Sequence, residues 1–274
     1  MDFRFSVLIP VYYKEKPEYF SEALASVINQ TLKPNEIVVV KDGPLTDGLE
    51  EVLAKYDATN PGLFKIVSLE TNQGLGVALA KGVEECSYEL IARMDSDDIS
   101  RSDRFEKQIA EFEKDPDLDI CGSQIAEFVN NRNNIVSIRR VPIIDIDIKK
   151  FQKFRTSFNH PSVIFRKSTV LSAGNYQSYV RLQDSLLWVR MFIIGSKCKN
   201  INEWLLYFRI SEDFYKRRGG LNYFKRINEV RREMVRLNFI SECEYLILLP
   251  ANFLLAIVPN WLRAFIYKRF LHHQ

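Results

Sequence analysis

The segment LIARMDSDDIS, residues Leu90–Ser100, runs from an apolar stretch into three closely spaced aspartates. Its first half has the pattern of a short buried β-strand. Asp95, Asp97 and Asp98 follow where that strand ends, and carboxylates so close together repel one another at neutral pH. The surrounding sequence indicates which sheet the strand belongs to and what the acids bind.

Strand and helix patterns alternate through the first hundred residues. Fully apolar strands that alternate with helices indicate parallel βαβ units covered on both faces. Such a sheet binds ligands at the carboxyl ends of its strands, where Asp42 and the 95–98 cluster both lie. The predicted strands lie in FSVLIPV (5–11), EIVVVKDG (36–43), LFKIVSL (63–69) and LIARM (90–94), and the helices in PEYFSEALASVINQT (17–31), 47–56 and GVALAKGVEEC (76–86).

The later part of the chain is less regular. A helix is predicted over Asp103–Lys114 and another in DSLLWVRMFIIG (184–195), with further strands in ICGSQIAEFV, NIVSIRRV, PSVIFR and WLLYFRI. Beyond Ser211 the sequence becomes basic and apolar with a helical pattern. We therefore predict an α/β domain with a mostly parallel sheet over residues 1–212 and a helical extension over 213–274.

Composition is that of a globular protein, with 46% hydrophobic and 27% charged residues, which excludes disorder as the main state. The N-terminus MDFRFSVLIPVYY lacks a basic region and runs into a strand pattern, so no signal peptide is expected. Four separated cysteines without a C-x-x-C pair predict reduced thiols in a cytosolic protein and no zinc site. They are Cys86, Cys121, Cys198 and Cys243.

The extension carries the excess of basic charge. From Phe214 onward there are 11 Lys and Arg against 4 Asp and Glu, whereas residues 1–213 carry 27 against 31. The stretch Tyr245–Pro259 is apolar but too short to span a bilayer, and Pro250 interrupts it. Residues 260–273, NWLRAFIYKRFLHH, mix aromatic and basic side chains as helices on anionic membrane surfaces do. Packing on the protein's own core or a homodimer contact is the alternative, and no nucleic-acid signature is present.

The aspartate cluster has two interpretations. Asp98 or Ser100 can cap the helix that begins near Ser102, because Asp and Ser are favoured at helix starts. Capping accounts for one or two acids but not for three. A Mg²⁺ or Mn²⁺ ion that bridges a diphosphate explains the excess, since such ions take one or two carboxylates together with phosphate oxygens.

Other candidate residues also allow two interpretations each. Asp42 precedes a glycine and suits a turn, but an acid at a strand end also suits a nucleotide base or ribose. Gly74 and Gly76 form G-x-G without the full dinucleotide fingerprint, so they indicate a tight loop or a close approach to a nucleotide. Asp184 begins a helix, where it is either a cap or a general base.

Three further side chains are candidates for contacts with the second substrate. His160 precedes a proline and a strand, which suits a structural histidine or a substrate contact. Arg217 and Arg218 suit a diphosphate clamp, because guanidinium groups match phosphate oxygens, or an ordinary surface.

Together these segments resemble the family 2 glycosyltransferases of GT-A fold, especially the bacterial enzymes of O-antigen, capsule and exopolysaccharide (amylovoran-type) synthesis. The resemblance runs from about Phe3 to Ile210. ARMDSDDIS is similar to the family's D-x-D-D metal motif, and EIVVVKDGP to the strand whose terminal aspartate contacts uracil. SVLIPVY, NQGLGVALAKG, NHPSVIFRKSTVLSAGNY and LQDSLLWVRMFIIG resemble further blocks in the expected order.

The resemblance implies an inverting transfer from a UDP-sugar, with Mn²⁺ or Mg²⁺ held by Asp97 together with Asp95 or Asp98. It maps the catalytic base onto Asp184, and Gln183 stands where many members have Glu. The implied acceptor is a sugar on a polyprenyl diphosphate, contacted by His160, Gln183, Arg217 and Arg218, at the cytoplasmic face of the bacterial inner membrane. The implied nucleotide-sugar contacts are Pro10, Val11, Tyr12, Asp42, Asn72, Gly74, Asp95 and Ser96.

Rival functions fit the sequence less well. A sugar nucleotidyltransferase needs a glycine-rich phosphate loop after the first strand, and PVYYKEKPEY contains no glycine. A phosphatase of the D-x-D type needs a threonine shortly after its aspartates. A non-catalytic scaffold that binds nucleotide remains open, although Asp97 and Asp184 argue against it.

Overall fold

The computed structural model describes residues 4–178, 182–210 and 220–259. Its first hundred residues alternate strands and helices as predicted. The first helix ends at Ile28, three residues earlier than expected, and the second extends to Thr59. The elements are β1 (Phe5–Val11), α1 (Pro17–Ile28), β2 (Glu36–Lys41), α2 (Asp47–Thr59), β3 (Phe64–Ser68), α3 (Leu75–Glu85) and β4 (Leu90–Arg93).

The second half contains the predicted strands and helices together with short elements that the sequence did not indicate. The short helices over Asp145–Gln152 and Lys167–Ser172 and the two-residue strand Ile99–Ser100 were missed because each is too brief to show a period. The elements are β5 (Ile99–Ser100), α4 (Arg104–Lys114), β6 (Leu118–Phe128), β7 (Ile135–Arg139), α5 (Asp145–Gln152), a 3₁₀ turn (His160–Ser162), β8 (Ile164–Arg166), α6 (Lys167–Ser172), α7 (Gln183–Ile193), β9 (Lys197–Arg209), α8 (Leu221–Arg236) and α9 (Glu242–Ile257).

One sheet joins the strands of the described residues, in the order β3-β2-β1-β4-β8-β6-β9-β5, with β7 paired to β6. The first four are parallel, as the βαβ pattern predicts. In the second half β8 runs antiparallel to β4 and β6, whereas β9 runs parallel to β6. Because β1, β2 and β4 are parallel neighbours, their carboxyl ends meet at one edge of the sheet.

Helices cover both faces of the sheet, which explains why the central strands are apolar at most positions, with Ser6 and Arg93 among the exceptions. On β1, Val7 and Ile9 pack beneath α1, α2 and α4, whereas Leu8 packs on the opposite side against α3 and α7. On β2, Val39 and Val40 divide between the two faces in the same way. Alternate residues of a strand point to opposite faces, so a sheet covered twice needs no polar positions.

The helices of the extension pack on the domain through α7. Val230 and Met234 of α8 join Leu186 and Val189 of α7 in a small separate core. The α9 helix lies against α8 and begins with a complete capping box between Ser241 and Glu244.

The sequence interpretation was wrong about Pro250, since α9 continues through it. Proline removes one backbone N–H from a helix. The carbonyl left over belongs to Leu246, a residue on the exposed side of α9. Among the described residues, no helix is long and apolar enough to cross a membrane.

A substitution at Gly76 tests how closely α3 packs on the chain before α7. A Cβ there would lie 2.5 Å from the carbonyl oxygen of Gln177. Alanine normally improves a helix by about 1 kcal/mol over glycine. We expect Gly76→Ala instead to lower the free energy of unfolding by about 1–2 kcal/mol, because a backbone carbonyl has little room to move. Urea denaturation measures this, with exposed Lys55→Ala as control. A gain in stability would contradict the packing.

Candidate active site

A cleft of about 930 Å³ opens where β1, β2 and β4 end. This is the position expected for ligands in an open parallel sheet. The predicted nucleotide-sugar residues all line it, as do Asp97, His160 and Asp184. Arg217 and Arg218 lie outside the described residues, so their prediction is not addressed. The cleft therefore brings together most of the residues singled out in the sequence, from Pro10 in β1 to Asp184 in α7.

Asp42 fixes the loop that forms one wall of the cleft. Its two carboxylate oxygens accept hydrogen bonds from the backbone N–H groups of Gln73 (2.7 Å) and Gly74 (3.0 Å). The Asn72 side chain donates in return to the Asp42 carbonyl. Asp42 is thus both a cleft residue and the anchor of the 72–74 loop, and the turn and ligand interpretations are compatible.

Glycine is needed at the two positions of the G-x-G motif for different structural reasons. Gly74 adopts a positive φ of 91° at the start of α3 and lines the cleft. This conformation is uncommon for residues with a side chain. Gly76 is instead required by helix packing, because of its closeness to Gln177. Only Gly74 fits the ligand interpretation.

The three aspartates form a compact cluster at the end of β4. One oxygen from each of Asp95, Asp97 and Asp98 lies within 4.8 Å of the others. Burial, and then the charges of Asp95 and Glu15, raise the pKa of Asp97 to about 7. Burial and the two neighbouring acids also raise the pKa of Asp98. The cluster therefore carries an excess of negative charge when all three acids are ionised.

The expectation that Asp98 or Ser100 caps the next helix was wrong. The α4 helix starts at Arg104 after Asp103, and no side chain caps it. Asp98 is fully buried and accepts from the backbone N–H of Arg209 on β9 (2.9 Å). Its other oxygen has no hydrogen-bond partner among the described residues.

These observations fit a divalent cation. Oxygen ligands at this spacing suit Mg²⁺ or Mn²⁺, and a cation would neutralise the excess negative charge. Asp95 and Asp97 reach the cleft, whereas Asp98 lies beneath it. Asp95 and Asp97 are thus the residues placed to hold an ion against a ligand in the cleft.

Arg93, in the apolar run before the cluster, was missed from the sequence. Its guanidinium is 1% exposed, binds Asp95, and lines the cleft. Two of its nitrogens have no hydrogen-bond partner within the described chain. A charged residue inside a strand buried on both faces was the signal that was available, because such a residue needs a partner.

Asp184 lies at the start of α7 and faces the cleft. Burial raises the pKa of its carboxyl group, whereas the Ser185 backbone amide and the charge of Arg93 lower it. Gln183 is buried beside it and does not line the cleft. The structure therefore does not place Gln183 on the wall of the cleft, and its contact with the acceptor stays a prediction.

His160 belongs to the cleft wall and to the core at once. Its Nε2 lies 2.8 Å from the Tyr176 hydroxyl, and its ring packs on Trp188. Burial and the charge of Arg93 hold the pKa of His160 well below its usual 6.5, so it is neutral at pH 7. A neutral imidazole held in this way suits orientation by hydrogen bonding, not proton transfer.

Further cleft residues come from segments that showed no motif. Glu15 lies in the loop after β1 and accepts from the Ser96 hydroxyl at 2.7 Å. Arg209, at the end of β9, donates to the Asp97 carbonyl and stacks on Tyr19. The sequence did not indicate that these residues lie beside the acid cluster, because both are far from it along the chain.

Fold and site together define a glycosyltransferase of GT-A fold. The model of glycosyl transferase family 2 matches residues 6–173, and the chain belongs to that family. The predictions of this fold and family are confirmed.

Two relatives narrow the type of enzyme. The chain is 40% identical over 221 residues to amylovoran biosynthesis glycosyltransferase AmsE of Erwinia amylovora, covering 81% of this chain and 82% of that one. It is 35% identical over 268 residues to a UDP-Gal:alpha-D-GlcNAc-diphosphoundecaprenol beta-1,3-galactosyltransferase of Escherichia coli, covering 97% and 96%. The protein is a glycosyltransferase of the exopolysaccharide and O-antigen type.

Solved structures share the fold at low sequence identity. Residues 1–349 of S. aureus TarS in complex with UDP-GlcNAc match with a TM-score of 0.66 at 21% identity, covering 92% of this chain and 71% of that one. The mannosyltransferase PcManGT of Pyrobaculum calidifontis, in complex with GDP-Man and Mn²⁺, matches with a TM-score of 0.65 at 15% identity, covering 95% and 72%.

Cation binding at the aspartate cluster is measurable by thermal unfolding. At about 100 times its Kd, Mn²⁺ should raise the Tm by roughly 5 °C. The increase should be larger at pH 8 than at pH 6, because a proton on Asp97 competes with the metal. Asp97→Asn should abolish most of it without lowering the Tm of the metal-free protein, since the amide removes a repulsive charge. Exposed Asp117→Asn is the control; an undiminished increase in Asp97→Asn would contradict the site.

Proposed function

We propose that the protein is a metal-dependent, inverting hexosyltransferase that transfers galactose or glucose from a UDP-sugar to GlcNAc on a polyprenyl diphosphate. The observation that carries this proposal is that Asp184 and the aspartate cluster face one cleft from separate elements. An inverting single displacement needs this arrangement, with a base for the incoming hydroxyl and a charged group for the leaving diphosphate.

The donor would occupy the end of the cleft formed by the parallel strands. Asp42 and the 72–74 loop suit the nucleoside, and Asp95 and Asp97 would hold a cation that offsets the charge of the diphosphate. When bound, Mn²⁺ or Mg²⁺ offsets the charge that develops on the leaving UDP. Arg93 holds Asp95 in place and supplies fixed positive charge beside it.

Asp184 would accept the proton of the acceptor hydroxyl. The hydroxyl oxygen then bonds to the anomeric carbon while the bond from that carbon to the diphosphate oxygen breaks, which inverts the configuration. A base needs to be ionised before the reaction, and the Ser185 amide and Arg93 favour that form against the effect of burial. The cleft walls restrict water around this carboxylate.

Donor and acceptor classes rest on the relatives. The Escherichia coli relative is named for UDP-Gal and GlcNAc-diphosphoundecaprenol, and the alignment with it covers nearly the whole of both chains. A lipid-linked acceptor requires the enzyme to work at a membrane, which for this chain is the cytoplasmic face of the bacterial inner membrane.

The α9 helix supports attachment to that surface. Leu246, Ile247, Leu254 and Ile257 are each more than half exposed, and their spacing places them within one arc of the helix. An apolar face of this kind suits the interfacial region of a bilayer, and the basic residues of the extension suit anionic lipids. Asn252 and Ala256, on the other side of α9, line the cleft, so a helix lying on the membrane would bring the cleft close to it.

Asp184→Asn tests the catalytic role. We expect transfer to fall by roughly 10²- to 10⁴-fold, because the amide cannot accept the proton. Donor affinity should remain within about twofold. The measurement is UDP release and product formation with a panel of UDP-sugars, Mn²⁺ and a GlcNAc-diphospho-lipid.

The matched control is Asp147→Asn, an exposed first-turn acid of α5. Activity of Asp184→Asn within about tenfold of wild type would show that Asp184 is not the base. A wild-type protein that binds UDP but transfers and hydrolyses none of the donors would instead favour the non-catalytic scaffold.

Membrane attachment is tested by flotation with anionic vesicles. Replacing Leu246, Ile247 and Leu254 with serine should weaken binding at least about tenfold, because apolar area is lost from the bound face. Ile144→Ser with Ile146→Ser, exposed apolar residues of the α5 region, is the control. Unchanged binding to vesicles would contradict the proposal. A triple variant that still binds vesicles but no longer self-associates would also contradict it.

A further inference from the structure

The chain that follows the aspartate cluster runs beside the last strand of the sheet. Directly after the cluster it forms β5, in which Ile99 pairs with Tyr207 of β9. Arg209, at the end of β9, therefore lies next to the cluster. Its backbone N–H donates to the buried Asp98 carboxylate, and its Nε donates to the backbone carbonyl of Asp97, each at 2.9 Å. One residue of β9 thus holds two neighbouring residues of the cluster.

The Arg209 side chain is fixed by contacts with several elements. Its guanidinium carbon lies 3.9 Å from the ring centroid of Tyr19 on α1 and 4.6 Å from that of Phe128 on β6. It also forms an ion pair with Glu22 of α1 and donates to the carbonyl of Asn130 after β6. The side chain is 7% exposed. These contacts make it a rigid support for the loop to which it bonds.

Arg209 lines the cleft, so it is placed to act either on a ligand or through the aspartates. Each of its three side-chain nitrogens donates within the protein, Nε to Asp97, Nη1 to Asn130 and Nη2 to Glu22. These bonds hold the guanidinium in one orientation. The contacts therefore favour a role through Asp97 over a bond to the ligand.

A cation at the cluster depends on where the Asp97 backbone lies. Asp95 and Asp97 reach the cleft, and each has an oxygen within 4.8 Å of the other acids of the cluster. Mg²⁺ requires a nearly ideal arrangement of its oxygen ligands, so a shift of one carboxylate lowers the affinity. Groups that orient the ligands of a metal therefore contribute to its binding without touching it.

We propose that Arg209 is a positioning residue of the metal site, which keeps the carboxylates of Asp97 and Asp95 at the spacing that a divalent cation needs by holding the Asp97 peptide. This inference rests on the proposed function, since the proposed reaction uses a cation at the cluster. It places one determinant of metal affinity at the end of β9, 112 residues from Asp97 in the sequence.

Charge and positioning have opposite effects on cation affinity here. The guanidinium repels a cation beside it, so removal of its charge alone would strengthen cation binding. Loss of its bond to the Asp97 carbonyl instead allows the carboxylate to move, which weakens binding. A purely structural role would change the stability of the protein and leave the affinity for the cation unchanged. The sign of the change in affinity therefore distinguishes the three roles.

The experiment measures the binding of Mn²⁺ alone to the metal-free protein, by isothermal titration calorimetry and by the EPR signal of the free ion. In Arg209→Met and Arg209→Lys, the Kd for Mn²⁺ should rise about 10- to 100-fold. Lysine keeps the charge but has a methylene group where arginine has Nε. Both variants retain the backbone N–H that holds Asp98. The Kd for UDP in the presence of EDTA should change less than twofold.

Arg166→Met is the matched control. Arg166 donates to the carbonyls of Leu118 (2.8 Å) and Pro116 (2.7 Å) and lies over the ring of Phe112. It pairs with Leu90 at the start of β4, at the other end of that strand from the aspartates. Its replacement should lower the urea midpoint of unfolding, as a lost structural arginine does, and leave the Kd for Mn²⁺ within twofold of wild type.

Several results would overturn the inference. An unchanged Kd for Mn²⁺ in both Arg209 variants would show a structural role, and tighter binding in Arg209→Met would show an effect of charge alone. Weaker binding of UDP in EDTA would show that Arg209 contacts the donor directly.

The measurement involves no sugar transfer, so it separates this inference from the proposed function. A wild-type protein that transfers no sugar, with Mn²⁺ binding weakened in both Arg209 variants, would reject the reaction and retain the positioning role. A wild-type protein that binds no Mn²⁺ would reject both.

Discussion

Repulsion among the carboxylates at the end of β4 is the constraint on which the active site depends. Asp97 and Asp98 are buried beside further acids, so burial and neighbouring negative charges raise the pKa of both carboxyl groups. Contacts within the protein offset part of this electrostatic cost. Arg93 binds Asp95 from below, and the backbone of Arg209 binds Asp98. The negative charge that these contacts leave uncompensated suits a divalent cation.

Charged residues of both signs line the cleft. Parallel strands bring acids to one edge of the sheet, and Arg155, after α5, and Arg231 of α8 line the cleft as well. Asp184 lies between, at the start of a helix whose backbone amide favours its ionised form. The C-terminal helices therefore do more than extend the domain: Arg231 and Asn252 belong to the wall of the cleft itself.

Local patterns predicted the first half of the fold and the main acids of the site. Asp42 and Asp97 were identifiable because each ends a strand, and strand ends converge in a parallel sheet. The interpretation failed where an acid had a distant partner. Asp98 looked like a helix cap, yet it binds β9, more than a hundred residues later. Gln183 looked like a neighbour of the substrate, yet it is buried and does not line the cleft.

By itself the sequence determined the βαβ order, the apolar strands of a sheet covered on both faces, and the aspartates that terminate them. These features follow from local periodicity, which neighbouring residues encode. Only the tertiary structure decided that Glu15, Arg93 and Arg231 share a cleft with Asp184. Their meeting depends on how β1, β4, α7 and α8 pack together, and long-range packing leaves no periodic pattern in the sequence. The physical reason is that burial and charge compensation act between residues close in space, whatever their separation along the chain.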